Sequence, residues 1–285
     1  MHKRLFIFGL GYSGLEIARL AKAVGWSVAG TVTGAAKAMR LAAEGIETHL
    51  FDGTASFSAQ ALGDASHVLC TIAPGTAGDP ALGTDAMRER GARWLGYLST
   101  TGVYGDHDGG WVDETTPPRP DHPRSIERLA AERAWQAMGA TVFRLPGIYG
   151  PGRSAIDRVK AGTARRIDKP GQVFSRIHVE DIATAVLAAM THPSSGAIYN
   201  VADDLPASNS EVIAYACALL GLPVPPLVPW DEAAPTMSAM ARSFYADNRR
   251  VRNDRLKRAL GVALRYPTYR EGLRAIAAPP HSPLP

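Results

Sequence analysis

The chain has 285 residues and a net charge of +4, with 31 basic and 27 acidic residues mixed along its length. A chain of this length can bury a large core, in one domain or in a main domain with a smaller appendage. The mild positive excess does not indicate a nucleic-acid partner, and no apolar run approaches the length that crosses a membrane. The densest basic stretch, residues 248–258, carries Val251 and Leu256 among its charges, and we interpret it as a solvated helix face.

The two cysteines, Cys70 and Cys217, lie in apolar patterns with no metal-ligand spacing around them. We therefore predict buried free thiols of a reducing compartment, and no metal site. The first residues lead straight into a short strand rather than into the apolar segment of a signal peptide. Together these features predict a cytoplasmic protein without a membrane partner.

The first strong pattern is residues 4–14, with the sequence RLFIFGLGYSG. The run from Leu5 to Phe8 is apolar, bounded by glycine and too short for a helix, which is typical of a strand buried on both faces of a parallel sheet. A G-x-G-x-x-G turn follows, and the apolar residues after it keep to a helical period. This order predicts a dinucleotide site with phosphates on the free N–H groups of the helix start. The predicted contact residues are Gly9, Leu10, Gly11, Tyr12, Ser13 and Gly14.

Strand and helix patterns alternate after this unit. The predicted strands are residues 27–32, 47–50, 67–72, 94–99 and 141–145. The predicted helices are residues 35–43, a short polar helix within 80–93, and residues 125–138, with a loop or helix at 55–62. This alternation predicts an α/β fold, a doubly wound parallel sheet of the Rossmann type with right-handed crossovers.

After residue 149 the alternation weakens. The sequence predicts a loop, a helix at 179–190, a strand at 197–201, a helix at 210–220, a proline-rich segment and helical C-terminal pieces. We expect residues 1–150 to form the Rossmann domain, with residues 178–203 returning to it. Residues 151–285 are then mostly a smaller, discontinuous substrate-side lobe.

Four motifs resemble a known family across almost the whole chain. They are YLSTTGVYG at 97–105, FRLPGIYGPGR at 143–153, SRIHVEDIATAV at 175–186 and YNVADD at 199–204. In this order they resemble the extended short-chain dehydrogenase/reductases of the NAD-dependent epimerase/dehydratase type. The resemblance implies a Rossmann fold, a nicotinamide cofactor and a small-molecule substrate, and it is much less specific for the reaction.

The resemblance places Thr100 where the family keeps the Ser or Thr that hydrogen-bonds the reacting oxygen of the substrate. The family's Tyr-x-x-x-Lys falls on residues 124–128, where Arg124 replaces the tyrosine and Arg128 the lysine. An arginine stays protonated at any working pH and cannot transfer a proton as a phenol does. Arg128 still has donors for the nicotinamide ribose.

Another group must therefore transfer the proton, or the reaction has been lost. The candidates in the active-site loop are Tyr104, Asp106 and His107. We predict Thr100, Tyr104 and Arg128 as the catalytic set.

The end of the second predicted strand indicates the cofactor. It carries no acid to bind the ribose hydroxyls of NAD, whereas Thr33 follows the strand and Lys37 and Arg40 lie on the next helix. This pattern predicts NADP in preference to NAD. The family pattern implies further cofactor contacts from Asp52, Ala73, Pro74, Thr100, Arg128, Leu145, Pro146 and Ile148.

Phe174 stands where nucleotide-sugar enzymes of this family often have an arginine for the substrate phosphates, which favours a smaller or less charged substrate. Arg176 and Arg153 are the alternative phosphate ligands nearby. We interpret His178 as structural, because no second metal ligand lies at a useful spacing.

Two functions remain open at this point. The first is an NAD(P)-dependent oxidoreductase or epimerase/dehydratase for a small hydroxylated or carbonyl substrate. The second is a dinucleotide-binding sensor or regulatory protein without turnover. The helix before the fifth strand is short and polar, so we expect the family's usual four-helix interface to be weakened, leaving a monomer or a homodimer formed elsewhere.

Overall fold

The structure is a computed structural model that describes residues 3–54, 56–88, 91–192 and 194–278. Its strands are β1 (Arg4–Phe8), β2 (Ser27–Val32), β3 (Glu47–Leu50), β4 (His67–Cys70), β5 (Trp94–Thr100), β6 (Trp111–Val112), β7 (Thr141–Leu145), β8 (Gly147–Tyr149), β9 (Arg166–Asp168), β10 (Arg176–His178), β11 (Ile198–Asn200), β12 (Leu227–Pro229) and β13 (Arg250–Val251). Its α-helices are α1 (Tyr12–Ala23), α2 (Ala35–Ala43), α3 (Asp85–Arg88), α4 (Pro123–Ala137), α5 (Ala155–Lys160), α6 (Val179–Thr191), α7 (Asn209–Leu220), α8 (Trp230–Ala233), α9 (Ala239–Ser243), α10 (Asp254–Leu260) and α11 (Tyr269–Ala277). Short 3₁₀ turns occupy Ala59–Leu62, Thr101–Tyr104 and Ala234–Thr236.

Seven strands form one parallel sheet in the order β3, β2, β1, β4, β5, β7, β11. The strand order reverses between β1 and β4. Ligands of such sheets bind beyond the carboxyl ends of the strands at this switch point. The glycine turn after β1 and the segments after β4 and β5 therefore share one edge, and the predicted doubly wound α/β fold is confirmed.

Helices cover both faces of the sheet, and β1 explains why. Successive side chains of a strand point to opposite faces. Leu5 and Ile7 join a cluster with residues of α1 and α6, whereas Phe6 and Phe8 join a second cluster with Trp135 of α4. All four β1 side chains have no exposed surface, as expected for a strand buried on both faces.

Other elements form hydrophobic clusters of their own, separate from the two on the sheet. One cluster includes Tyr149, Ile156 and Leu273, from β8, α5 and α11. A second cluster contains Ile167 and Tyr245. The chain leaves the sheet after β7; later, α6 packs in the main cluster and β11 pairs with β7. The division into a Rossmann domain and a substrate-side lobe stays a prediction.

Several boundaries differ from the predictions by one or two residues. β4 ends at Cys70 rather than at residue 72, and the Thr71 hydroxyl donates to the carbonyl of Gly9. α4 begins at Pro123, since the fixed φ of proline suits the first turn of a helix. α5 lies in a segment predicted as a loop; a capping box between Ser154 and Asp157 starts it.

The predicted short polar helix within 80–93 is α3, of four residues, and residues 89 and 90 of that stretch lie outside the described residues. Residue 55 of the predicted 55–62 element also lies outside them, and the rest of that element contains a 3₁₀ turn. The oligomeric state stays a prediction. Within the described ranges, no helix has the length and apolarity needed to span a membrane. Cys70 and Cys217 are free and buried, as predicted.

Candidate cofactor and active site

Two glycines of the turn after β1 are required by the fold itself. Gly9 has a φ of +93°, and a Cβ there would lie 2.8 Å from the Thr71 hydroxyl. A Cβ on Gly14 would lie 2.3 Å from the carbonyl oxygen of Gly9, because α1 packs directly on the turn. Both positions exclude a side chain whether or not a ligand binds.

Gly11 differs from these two glycines. Its φ of −75° suits any residue, and no atom of the described residues lies within 4 Å of a Cβ built on it. No side chain caps α1 at this residue, and the first turn of the helix carries no acid. The first N–H groups of α1 therefore face open space beside Gly11. We call Gly11 and the first N–H groups of α1 the cradle. It fits a pyrophosphate, which needs close approach to the backbone and free amide donors.

Thr31 holds the cradle in place, and the sequence analysis missed it. Its hydroxyl accepts the N–H of Gly9 at 2.8 Å, and its carbonyl accepts the N–H of Leu10 at 2.8 Å. The sequence signal that could have identified Thr31 is a polar residue near the end of a strand that is mostly apolar. Leu10 is itself buried in the core, so only its backbone can face a ligand.

Tyr12 links the cradle to the turn after β8. Its hydroxyl donates to the carbonyl of Pro151 at 3.1 Å, and the guanidinium of Arg153 lies 5.6 Å from its ring centre. Burial raises the pKa of Tyr12 to about 12, so the phenol remains a donor. Ser13, the next residue, is buried in the first turn of α1.

Two basic side chains, Lys37 and Arg40, lie on the helix that follows β2. The ammonium of Lys37 reaches back to the carbonyl of Leu10 in the glycine turn. Burial and the neighbouring Arg40 lower the pKa of Lys37. Thr33 is exposed, and α2 begins beside it with no side-chain cap and no acid in its first turn. A phosphate on the adenosine ribose would meet a cation and open amide groups here.

The other predicted cofactor contacts lie at the same edge. Ala73 and Pro74 come after β4. Leu145 is the last residue of β7, Pro146 follows it, and Ile148 lies in β8. Asp52, after β3, is exposed and accepts both the N–H and the hydroxyl of Thr54, at 2.9 and 2.8 Å. The structure thus gives Asp52 a turn-forming contact, and its contact with the cofactor stays a prediction.

Thr100 ends β5 with its hydroxyl at the cleft. Its Oγ1 accepts the N–H of Gly102 at 3.1 Å, which leaves the hydroxyl proton available to donate. A Cβ on Gly102 would lie 2.9 Å from the Ser125 hydroxyl and 3.3 Å from that of Thr100, so both hydroxyls lie beside Gly102. Ser125 follows the position of the family's tyrosine, a signal that the sequence analysis did not use.

Tyr104, which we predicted to act in the reaction, is bonded to the protein itself in this structure. Tyr104 has no exposed surface, its hydroxyl donates to Asn200 Oδ1 at 2.8 Å, and the Arg144 guanidinium lies 4.7 Å from its ring centre. Burial raises the pKa of Tyr104, so the phenol holds its proton more tightly than in water. Its position makes Tyr104 a core residue that anchors the active-site loop to β11.

Beneath Tyr104 lies a buried ion pair. Arg144 of β7 and Glu132 of α4 form a salt bridge with almost no exposed surface, and the Ser99 hydroxyl donates to Glu132 at 2.6 Å. These contacts tie α4 to β5 and β7 directly below the cleft.

The two arginines at the Tyr-x-x-x-Lys positions have different environments. Arg124 is exposed in the first turn of α4. Arg128 is partly buried, and its Nη1 donates to the Leu98 carbonyl at 2.9 Å and to the Tyr97 hydroxyl at 3.2 Å. These bonds hold Arg128 at the carboxyl end of β5. Its Nε and Nη2 have no partner among the described residues and remain as donors for a ligand.

His178 is buried and begins α6, where its Nδ1 accepts the N–H of Glu180 at 3.3 Å. Burial lowers the pKa of His178 to about 4, so the ring is neutral. Within the described parts of the chain, no group of three His, Cys, Asp or Glu side chains could hold a metal ion. This helix-capping contact agrees with the structural role predicted for His178.

Comparison with known proteins adds to this geometry. The model of the NAD dependent epimerase/dehydratase family matches residues 84–202. The solved structure of a functionally unknown conserved protein from Silicibacter pomeroyi DSS is 48% identical, with a TM-score of 0.87 and coverage of 96% of this chain and 98% of that chain.

Two curated proteins are also similar. Protein YeeZ from Escherichia coli strain K12 is 29% identical over 244 residues, which are 78% of this chain and 86% of YeeZ. A 3-diazoavenalumate denitrifying reductase from a Streptomyces species is 29% identical over 203 residues, 66% of either chain. The family resemblance found in the motifs is confirmed.

Proposed function

We propose that this protein is an NADP-dependent oxidoreductase for a small carbonyl or hydroxylated substrate. The chain belongs to the NAD-dependent epimerase/dehydratase family of extended short-chain dehydrogenase/reductases, and the proposal starts from that family. The observation that carries this proposal is the open cradle at Gly11. The fold accounts for Gly9 and Gly14, whereas the space beside Gly11 is open and lies next to the uncapped start of α1, where a ligand's phosphates can approach the backbone. A nicotinamide cofactor bound there supplies or accepts a hydride.

In this proposal the chain's own groups divide the binding work. The first N–H groups of α1 take the pyrophosphate, and Lys37 takes the phosphate on the adenosine ribose. Arg128 donates to the nicotinamide ribose through the nitrogens that the protein leaves free. The absence of an acid after β2 favours NADP over NAD, since a carboxylate there would repel the extra phosphate.

Thr100 is proposed to hydrogen-bond the reacting oxygen of the substrate, with the Ser125 hydroxyl beside it. Because Tyr104 is buried and Arg124 is not an acid, the proton that accompanies the hydride comes from solvent at this hydroxyl pair. The name of the Streptomyces relative describes a reductase, which favours an oxidoreductase over an epimerase.

A dinucleotide sensor without turnover is the second candidate function. The observation that favours it is the lack of a phenol in the cleft, since Tyr104 is fully buried and Arg124 replaces the family's tyrosine. In that case the cradle binds the cofactor, and the cleft has no group that transfers protons.

Oxidation of NADPH by the purified protein, measured across aldehydes, ketones and an aromatic diazo compound, separates the two candidates. We expect turnover with at least one compound, a loss of about a hundredfold in Thr100→Ala, and unchanged turnover in Tyr104→Phe of equal stability. Binding of NADPH without oxidation by any compound favours the sensor. Loss of turnover in a well-folded Tyr104→Phe variant contradicts the proposed roles.

A further inference from the structure

Two arginines, Arg153 and Arg176, are candidate phosphate ligands by sequence, and the structure gives them different environments. Arg176 is bonded to the protein itself, since its Nη1 donates to the carbonyls of Phe174 and Ala207, both at 2.8 Å. Arg153 is exposed, and within the described part of the chain its guanidinium forms no hydrogen bond and no ion pair. Of the two, Arg153 is therefore the one whose nitrogens are free to bind an anion.

A tight turn fixes the backbone from which the Arg153 side chain extends. Gly150 and Arg153 exchange backbone hydrogen bonds of 3.3 and 3.0 Å, and Gly152 between them has a φ of +73°. The next residue, Ser154, caps the first turn of α5. Because the backbone is bonded on both sides, only the side chain of Arg153 is left to move toward a ligand.

This turn packs directly on the start of α1. A Cβ on Gly150 would lie 2.5 Å from the Tyr12 hydroxyl and 2.8 Å from the Val179 side chain, so glycine is what allows the close approach. The Tyr12 hydroxyl also donates to the carbonyl of Pro151 at 3.1 Å. These contacts hold the base of Arg153 beside the first residue of the helix.

The guanidinium of Arg153 lies over the ring of Tyr12, 5.6 Å from the ring centre. Tyr12 is the first residue of α1 and follows Gly11, so its N–H is one of the open donors of the cradle. A guanidinium that stacks on a ring keeps its N–H groups available at its edge. The structure therefore places a free cation next to the amide groups of the cradle.

The charges near Tyr12 explain why an anion at the cradle needs this cation. Burial raises the pKa of Tyr12 most, three nearby carboxylates raise it further, and the charge of Arg153 opposes them; the carboxylates are those of Glu16, Asp157 and Glu180. A pyrophosphate carries negative charge on each phosphate and is repelled by these carboxylates. Arg153 lies among them and offsets that repulsion.

We propose that Arg153 binds the pyrophosphate of the dinucleotide together with the first N–H groups of α1. The proposal rests on the proposed function, to which it adds a cofactor-binding residue. A guanidinium donates two parallel hydrogen bonds to phosphate oxygens. The diphosphate of a nucleotide sugar has the same chemistry, but the stacking of Arg153 on a residue of the cradle favours the cofactor. Because NADP and NAD both carry a pyrophosphate, Arg153 strengthens the binding of both.

The experiment is a calorimetric titration of the full chain with NADP, NAD and ADP-ribose, and displacement of NADP by adenosine 2′-monophosphate, which has no pyrophosphate. We expect Arg153→Gln to weaken the first three ligands about tenfold each and to leave the monophosphate unchanged. Arg153→Lys keeps the charge without the fork and should lose about threefold. Lys160→Gln, at an exposed cation of α5, is the matched control and should change none of the four.

Three outcomes overturn the inference. Arg153→Gln could leave the affinities of all three dinucleotide-type ligands unchanged. It could weaken only NADP and the monophosphate, which would place Arg153 on the ribose phosphate. It could instead leave the cofactors unchanged and weaken UDP-glucose on the NADP-loaded protein, which would place Arg153 on a substrate diphosphate. Because Arg153 is exposed, the melting temperature of the free variant should equal that of the wild type.

The same protein separates this inference from the proposed function. If NADPH binds through Arg153 but no substrate oxidises it, the proposed oxidoreductase activity fails and the role of Arg153 stands. If turnover occurs and Arg153→Gln binds both cofactors as the wild type does, the role of Arg153 fails and the proposed function stands. Binding of no dinucleotide overturns both.

Discussion

The cofactor side and the catalytic side of the cleft differ in what fills them. On the cofactor side, Gly11, the start of α1 and the start of α2 are left open, and Lys37 is placed at their border. On the catalytic side, the groups that resemble catalytic residues are bonded to the protein itself. Tyr104 is held by Asn200, and Arg128 by the carbonyl of Leu98.

This difference separates two functions that relatives combine in one cleft. Open amide groups at a helix start can accept an anionic ligand. Buried and bonded polar groups indicate stability, since each partner would be costly to leave unpaired. The chain therefore keeps the features proposed to bind a dinucleotide, and carries the exposed Arg124 where the family has the phenol that transfers protons.

The largest effect is expected where the catalytic side is most buried. Glu132→Gln removes the charge that balances Arg144, and an unpaired buried charge costs about 3–5 kcal/mol. Urea unfolding should report that loss, with Glu127→Gln on the same helix close to wild type. The affinity of the folded variant for NADP should not change. A loss below about 1 kcal/mol would mean that the pair does not hold this side together.

The next effect concerns the open cradle. Gly11→Val should weaken NADP(H) and NAD(H) at least about a hundredfold, or about 2.7 kcal/mol, because the side chain takes the place of the pyrophosphate. The melting temperature of the free protein should fall by no more than a few degrees, since the added group meets no other part of the described chain and only the capping preference of glycine over valine is lost. Gly91→Val, at another open glycine, is the control. Unchanged affinity in Gly11→Val would remove the cradle from the account.

A smaller effect is expected from His178 on the dependence of stability on pH. The folded protein keeps this ring neutral, with its pKa lowered to about 4, whereas the unfolded chain takes up a proton below about 6.5. Protons therefore favour the unfolded state, and the free energy of unfolding should fall by about 2 kcal/mol between pH 7.5 and 5 from this group. His178→Asn keeps a helix cap and should remove that part of the slope, whereas His192→Asn, at an exposed histidine, should not. Equal slopes in all three proteins would contradict the assignment.

The smallest of these effects tests the border of the cradle. Lys37→Gln should weaken NADP about tenfold, or about 1.4 kcal/mol, and leave NAD unchanged, because in the proposed binding mode the ammonium contacts only the extra phosphate. Fluorescence titration of both reduced cofactors measures the ratio, with Lys160→Gln as the control. An equal loss for both cofactors would place Lys37 on the shared pyrophosphate instead.

Local patterns predicted the sheet and the cradle, because each is encoded by neighbouring residues. The apolar run of β1, the glycine spacing and the alternation of strands and helices need no distant contact. The environment of Tyr104 could not be read in this way, since its partner Asn200 lies 96 residues away. The inward turn of Arg176 depends in the same way on Ala207, 31 residues away. At Tyr104 and at Arg176 the residue type indicated a chemical role. The packing around each side chain, which the sequence does not reveal, decides whether a ligand can reach that side chain.

The most direct test of the central claim is a calorimetric titration of wild-type protein with NADPH and, in parallel, with NADH. The open cradle with Lys37 at its border predicts that both bind at one site, with NADPH at least tenfold tighter, about 1.4 kcal/mol. Binding of neither cofactor, or a tenfold preference for NADH, would contradict the account.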